Sequence, residues 1–146
     1  MATSPLLKFY LTVDDFLAAN CNFASSDVIK VALSNTIPAV ANHYYSDLTD
    51  LATSNGYTAG GATTGTNSKS NTTGTTSVAC TPASPTWTSS TGSLGPFRYF
   101  IFYDSTPATN KTLLVPYDYG SALTLNGVNG DTLSLSLASN VLFTLA

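Results

Sequence analysis

The chain has 146 residues, 43% of them hydrophobic, which suits one packed domain. Charge is scarce: five Lys and Arg and eight acids make 9% of the chain, against roughly 25% in ordinary domains. All eight acids are Asp, and Ser and Thr number 41. A net charge of −3 with a single Arg does not suit electrostatic nucleic-acid binding, which needs clustered cations. No apolar run approaches the roughly 18 residues that span a bilayer. Long helices and coiled coils are disfavoured without Glu and Gln, and sixteen aromatic residues argue against a coreless chain.

In chain order, residues 1–10 are expected to form an N-terminal arm or edge strand, and residues 11–146 a single domain. Residues 1–13 carry one Lys, at position 8, and Asp14 and Asp15 follow at once. That order does not fit a secretory signal, so the chain is expected to be used without export by that route. Residues 14–19 can make one or two helical turns. Residues 28–33 read as a strand, with Val31 and Leu33 alternating with Lys30 and Ala32. Residues 46–52 are the better helix candidate: Ser46 can cap it, and Asp47 and Asp50 lie near its positive end. Residues 60–77 are rich in Gly, Thr, Ser and Asn and predict an exposed hairpin or long loop.

Residues 98–104 are the strongest strand. Tyr99, Ile101 and Tyr103 take one face and Phe100 and Phe102 the other, so both faces should be covered. Residues 113–119 give the next strand, which Pro116 demotes toward an edge or a bulge. Leu123 and Leu125 precede Asn126-Gly127 and Asn129-Gly130, where a tight turn belongs. Leu133, Leu135 and Leu137 alternate with Ser134 and Ser136, and Val141, Phe143 and Leu145 repeat the pattern. About eight short strands with one short helix predict an all-β domain, a β-sandwich or jelly-roll-like fold.

Chemistry-bearing patterns are sparse. His43 is the only histidine, and no Gly-x-Ser-x-Gly elbow accompanies it. It reads as a surface or interface residue. Asp14 with Asp15, and Asp47 with Asp50, read as helix-end acids rather than a glycosidase pair. Residues 60–65 lack the Lys of a phosphate loop. Asn71 and Asn110 open N-x-Thr triplets, expected as chance matches in a Thr-rich chain. Cys21 and Cys80 could pair but read first as small buried side chains, and one His with two Cys makes no zinc set. No catalytic residue, cofactor or metal is expected, and the protein is read as a non-enzyme. Arg98 opens the most buried strand and needs a partner, for which Asp104 and Asp118 are the candidates. Hydroxyls in place of charges suit lasting contact with neighbouring subunits, where charge is depleted and aromatics are enriched. Tyr44, Tyr45, Tyr57, Trp87, Tyr117 and Tyr119 lie outside the core strand; of these Tyr44, Tyr45, Trp87, Tyr117 and Tyr119 are the interface candidates.

Four segments carry a resemblance: DVIKVALSNTIP at 27–38, LTDLATSNGYTAGG at 48–61, GSLGPFRYFIFYD at 92–104 and YDYGSALTL at 117–125. In this order they resemble a group of small virion structural proteins of tailed double-stranded DNA bacteriophages. The Asn-Gly-Tyr-x-x-Gly-Gly and Gly-Pro-Phe-Arg-Tyr elements are the most specific parts, while residues 65–93 depart from the group's pattern. The resemblance implies a non-enzymatic part of a phage particle, assembled in the host cytoplasm, with no direct nucleic-acid or membrane contact. Within it, the expected role is a capsid decoration or cement protein whose partners are the major capsid protein and copies of itself. The alternatives are a tail or fibre-associated component and, in another class, a glycan-binding module in which exposed Tyr and Trp87 stack on sugars.

Overall fold

The computed structural model describes residues 9–81 and 84–145. The expected arm at 1–10 therefore lies outside the described residues except for Phe9, which is buried, and Tyr10, which is exposed. In chain order the elements are α1 (Thr12–Leu17), β1 (Ile29–Ser34), β2 (Ala62–Thr63), β3 (Thr66–Thr72), β4 (Thr75–Thr81), β5 (Thr86–Thr88), β6 (Ser93–Asp104), β7 (Leu113–Asn126), β8 (Thr132–Ser134) and β9 (Val141–Leu145). Three antiparallel sheets result, in the orders β2-β1-β6-β7, β3-β4-β9 and β5-β8. The domain is all-β and sandwich-like.

β6 is the spine of the largest sheet because both its faces are apolar. Phe100 and Phe102 sit across from Leu33 and Val31 of β1 and enter the main core. Val78 and Cys80 of β4, Leu142 of β9 and Trp87 of β5 close that core from the other side. Tyr99, Ile101 and Tyr103 face the opposite way, into a second core with Phe9, Ala32 and Leu113. Each such side chain contributes roughly 1.5–3 kcal/mol when fully buried, so a strand with two buried faces is the natural centre of the fold.

β7 lies at the edge of this sheet, with Pro116 across from Ile101. An edge strand tolerates a residue that donates no ladder hydrogen bond. Its pairing with β6 jumps from Phe97–Leu123 to Tyr99–Asp118, so residues 119–122 bulge away from the ladder. Farther along, the chain turns through 127–130, where Gly130 N–H donates to Gly127 O at 3.2 Å.

The Ser/Thr/Gly-rich stretch folds into strands. β3 and β4 pair in unbroken register and are joined by Thr73 and Gly74, both at positive φ. That is the backbone twist a two-residue hairpin favours. The strand expected over 133–137 is shorter, because ladder pairing with β5 ends at Ser134. Leu135 and Leu137 still pack on the core, and Leu135 N–H donates to Pro85 O at 2.9 Å.

The helix expected at 46–52 is absent; only a 3-10 turn, Tyr45–Asp47, forms there. Asp47 Oδ2 accepts the backbone N–H groups of His43 and Tyr44, both at 2.9 Å. Those groups precede the turn, so Asp47 folds the chain back on itself instead of starting a helix.

Two glycines serve different ends. Gly61, at φ 73°, lies against β1 so closely that an added Cβ would sit 1.7 Å from Val31 O. Gly74, at φ 88°, faces open space. Gly61→Ala is expected to cost about 3 kcal/mol or more, and Gly74→Ala about 1 kcal/mol. Urea midpoints for the two variants check the contrast.

Candidate functional site

Four polar constructions stand out in this charge-poor chain, and each is built from the backbone outward. The first is centred on Asp50. Tyr45 Oη donates to Asp50 Oδ2 at 2.6 Å, Gly60 N–H donates to the same oxygen at 2.6 Å, and Tyr57 Oη donates to Oδ1. Tyr57 Oη also accepts Leu33 N–H at 3.0 Å, and Tyr103 Oη donates to Gly60 O at 2.7 Å. The Tyr45 and Tyr103 rings stack at 4.7 Å. The Asn-Gly-Tyr-x-x-Gly-Gly element is thus a strap around one carboxylate. Burial, and then Asp50 itself, push the hydroxyls of Tyr45 and Tyr57 well above the ordinary tyrosine range. The same causes push Tyr103 up to about 12.

The second joins residues far apart in sequence. His43 Nε2 lies 2.6 Å from Asp15 Oδ2, and Asn20 Nδ2 donates to Asp15 Oδ1 at 3.0 Å. His43 is therefore a half-buried clamp, and Asp15, a first-turn acid of α1 as expected, is buried beneath it. The backbone adds to the clamp. Leu113 N–H donates to His43 O at 3.0 Å, Thr12 Oγ1 donates to Leu113 O at 3.0 Å, and Tyr10 N–H donates to Val40 O at 2.9 Å. Phe16 stacks on Phe143 at 5.6 Å. Together these contacts pin α1 to β7, to the loop at 40–43 and to β9.

Pinned in this way, α1 turns an apolar ridge outward. Tyr10 is 72% exposed, Val13 52% and Leu17 83%. Val13 and Leu17, four residues apart, lie on one side of the helix, and Tyr10 comes just before its first turn. This ridge left no separate mark in the sequence, since its residues read as ordinary core formers.

The third construction holds the β7 bulge. Arg98 Nε and Nη2 donate to Asp118 Oδ1 and Oδ2 at 2.6 and 2.7 Å, a two-pronged pair, and Gly120 N–H donates to Oδ1 at 2.7 Å. The guanidinium beside Asp118 holds its carboxyl below the usual carboxylate range. Asp104, the other candidate partner, is buried elsewhere. Its Oδ1 accepts Thr106 N–H at 2.8 Å, and its carboxylate adds to the burial that pushes the Cys21 thiol up. Cys80 Sγ donates to Asn67 Oδ1 at 3.0 Å. Both thiols are free and buried, and burial raises both.

The interface candidates separate. Tyr119, 54% exposed, projects from the bulge. Trp87 does not serve as an interface residue or sugar platform: it is 3% exposed, because β5–β8 pairing delivers it to Phe100 in the core. Tyr117 is half-buried and donates to Leu142 O at 2.5 Å. Tyr45 is half-buried in the Asp50 strap. Tyr44 is half-buried and stacks on His43 at 3.7 Å.

The fourth is a cavity of about 230 Å³ lined by Asn20, Tyr44, Pro107, Thr109, Asn110 and Thr112. Among the described residues, no group of three or more His, Cys, Asp or Glu could hold a metal ion, and no helix is long and apolar enough to cross a membrane. Comparison with protein-family models, with curated proteins and with solved structures finds no match.

Asp50→Ala leaves two phenol hydroxyls and one amide without their acceptor and is expected to cost about 3 kcal/mol, with Asp50→Asn costing about half as much. Urea denaturation of both variants tests this. Alkali gives a second check. A hydroxyl whose folded pKa lies above its unfolded value of about 10 adds stability that is complete below pH 10 and lost as pH rises through the folded value. The last phenolate absorbance should therefore appear together with loss of the sheet's circular dichroism, near or above pH 12. Full phenolate absorbance with the sheet intact would contradict the strap.

Proposed function

We propose that this protein is a non-enzymatic structural component of a tailed-phage particle, and within that a decoration protein that binds the outside of the head and bridges neighbouring capsomers. The observation that carries the reading is the exposed apolar ridge of Val13 and Leu17 on α1, with Tyr10 just before the helix. A freely soluble protein with so few charges gains little solubility from self-repulsion, and exposed apolar residues add to that difficulty. Burial against fellow subunits removes it. The clamps on α1 favour the same reading, because a surface held in one conformation loses little entropy on docking.

Three further features agree with it. The four segments resembling phage virion proteins build β1, the Asp50 strap, the β6 spine and the β7 bulge. The bulge presents Tyr119, an aromatic of the kind enriched in interfaces. Repetition across a shell makes weak single contacts sufficient, since linked sites act at high effective concentration. A tail location remains the second outcome of the same assay.

The test is co-sedimentation of the purified chain with heads, and separately with tails, from particles assembled without it. Saturable binding to heads is expected. Leu17→Asp and Val13→Asp alter exposed positions and should change stability by only about 0.5 kcal/mol, while weakening head binding at least tenfold. Binding to tails alone would replace the head assignment. Binding to neither, or full binding by both variants, would overturn the reading.

A further inference from the structure

We propose that Asn129 is a modification site, where the folded chain deamidates without an enzyme through attack by its own Gly130 amide nitrogen. The co-reactant is water, and the products are aspartate and isoaspartate. The inference does not rest on the particle assignment and concerns the turn between β7 and β8, away from the α1 ridge.

The chemistry favours an asparagine followed by glycine, because no Cβ crowds the attacking nitrogen and the backbone can swing. Three pairs meet that condition: Asn55-Gly56, Asn126-Gly127 and Asn129-Gly130. Hydroxide removes the glycine amide proton, and the freed nitrogen attacks the asparagine Cγ. The Cγ–Nδ2 bond breaks, and that nitrogen leaves as ammonia after taking a proton from water, which restores the hydroxide. The resulting five-membered succinimide takes up one water at either ring carbonyl. The ring C–N bond breaks there, the ring nitrogen regains a proton, and the new carboxylic acid gives its proton to the ammonia. Opening at Cγ yields aspartate. Opening at the backbone carbonyl yields isoaspartate, in which the main chain runs through the former side chain. Either product adds one negative charge to a chain that has few.

The fold separates the three pairs. Asn55 Nδ2 donates to Ser93 O at 2.8 Å. Its glycine, Gly56, lies so close to β5 that an added Cβ would sit 2.0 Å from Thr88 O. Asn126 Oδ1 accepts Val128 N–H at 3.0 Å. Its backbone is tied twice to Asp131: Asn126 N–H donates to Asp131 Oδ2 at 2.8 Å, and Asn126 O accepts Asp131 N–H at 3.1 Å. Gly127 is packed as closely as Gly56, with an added Cβ 2.1 Å from Gly92 O. In both pairs the nitrogen reaches Cγ only by breaking packed contacts.

Asn129 differs in each respect. It is exposed, and its carboxamide has no hydrogen-bond partner among the described residues. Gly130, at φ 66°, faces open space, with nothing within 4 Å of an added Cβ. Its N–H donates to Gly127 O at 3.2 Å, the long end of the ordinary range. Opening one long bond in an exposed turn costs little. The Asn126–Asp131 contacts close the turn, so Asn129 can move without loosening β7 or β8.

The test incubates the folded full chain in mildly alkaline buffer and, in parallel, the same chain in urea. Peptide mapping by mass spectrometry follows each asparagine, with fragment ions that separate Asn126 from Asn129. In the folded chain Asn129 should react at least about tenfold faster than Asn55 or Asn126, and in urea the three rates should converge. Isoaspartate should form beside aspartate, and heavy-oxygen water should label both. Asn129→Gln should remove the reaction at this position. Gly130→Ala should slow it about tenfold, since the added methyl crowds the nitrogen yet meets open space in the fold. Equal rates at the three pairs in the folded chain would overturn the proposal. So would an Asn129 that reacts in urea and stays intact in the folded chain. Aspartate formed without isoaspartate, at a rate unchanged in Gly130→Ala, would mean direct hydrolysis of the carboxamide and would also overturn it.

Discussion

One carboxylate organises the covering of the second core. Asp50 accepts two tyrosine hydroxyls and one backbone amide, and those three donors come from positions 45, 57 and 60. Tyr57 passes the connection to β1 through Leu33 N–H, and Tyr103 passes it to β6 through Gly60 O. A buried or half-buried charge is tolerated only when its lone pairs are filled, so the segment from 45 to 61 has little freedom to lie anywhere else. Gly61 completes the constraint by letting the backbone approach Val31 O more closely than any side chain permits. Without this strap, Leu48 and Tyr45 would not be held over Ile101 and Tyr103, and the outer face of β6 would meet water.

The scarcity of charge shapes how the rest is held. With five cations in 146 residues, the chain cannot rely on networks of surface ion pairs. Among the described residues, the Asp15–His43 contact and the Arg98–Asp118 ion pair each fix a feature that points outward. The first holds α1 and, through Asn20 and Tyr44, one wall of the cavity. The second shapes the bulge that carries Tyr119. Elsewhere hydroxyls pair with hydroxyls across strands, as in Thr86 with Ser134 at 2.9 Å and Thr88 with Thr132 at 3.0 Å. Such pairs contribute modestly, roughly 0.2–1 kcal/mol each, and they resist salt because no net charge is involved.

What was legible in the sequence follows from the range of the forces involved. Strand alternation is local, so the two faces of 98–104, the inward Val31 and Leu33 and the inward leucines at 133, 135 and 137 could be read directly. Pro116 marked an edge for the same reason. The helix expected at 46–52 failed because its acids had better partners. Asp47 took two backbone amides just before the turn, and Asp50 took donors seven and ten residues ahead. Capping residues announce a helix only when their side chains are not claimed by a turn or a strap. Trp87 misled for a related reason. Between two threonines in a polar stretch it looked exposed, yet the pairing partner that carries it inward lies some forty-five residues away, at 132–134.

The candidate surfaces were less legible than the fold because each depends on contacts between distant segments. Asp15 and His43 are 28 residues apart, and nothing near either one signals the other. Val13 and Leu17 have the spacing of a buried helix face, but Thr12, Asp15 and Phe16 are the residues that turn inward. The helix is therefore oriented by hydrogen bonds and one aromatic stack against the pull of its own apolar stripe. A six-residue helix has little intrinsic stability, so this inverted orientation must come from Leu113, His43 and Phe143. Those anchors hold apolar side chains in water at a cost that docking against another subunit would recover. The same anchors also position Asn20 and Tyr44, so one clamp fixes both the ridge and a cavity wall, neither of which sequence periodicity reveals.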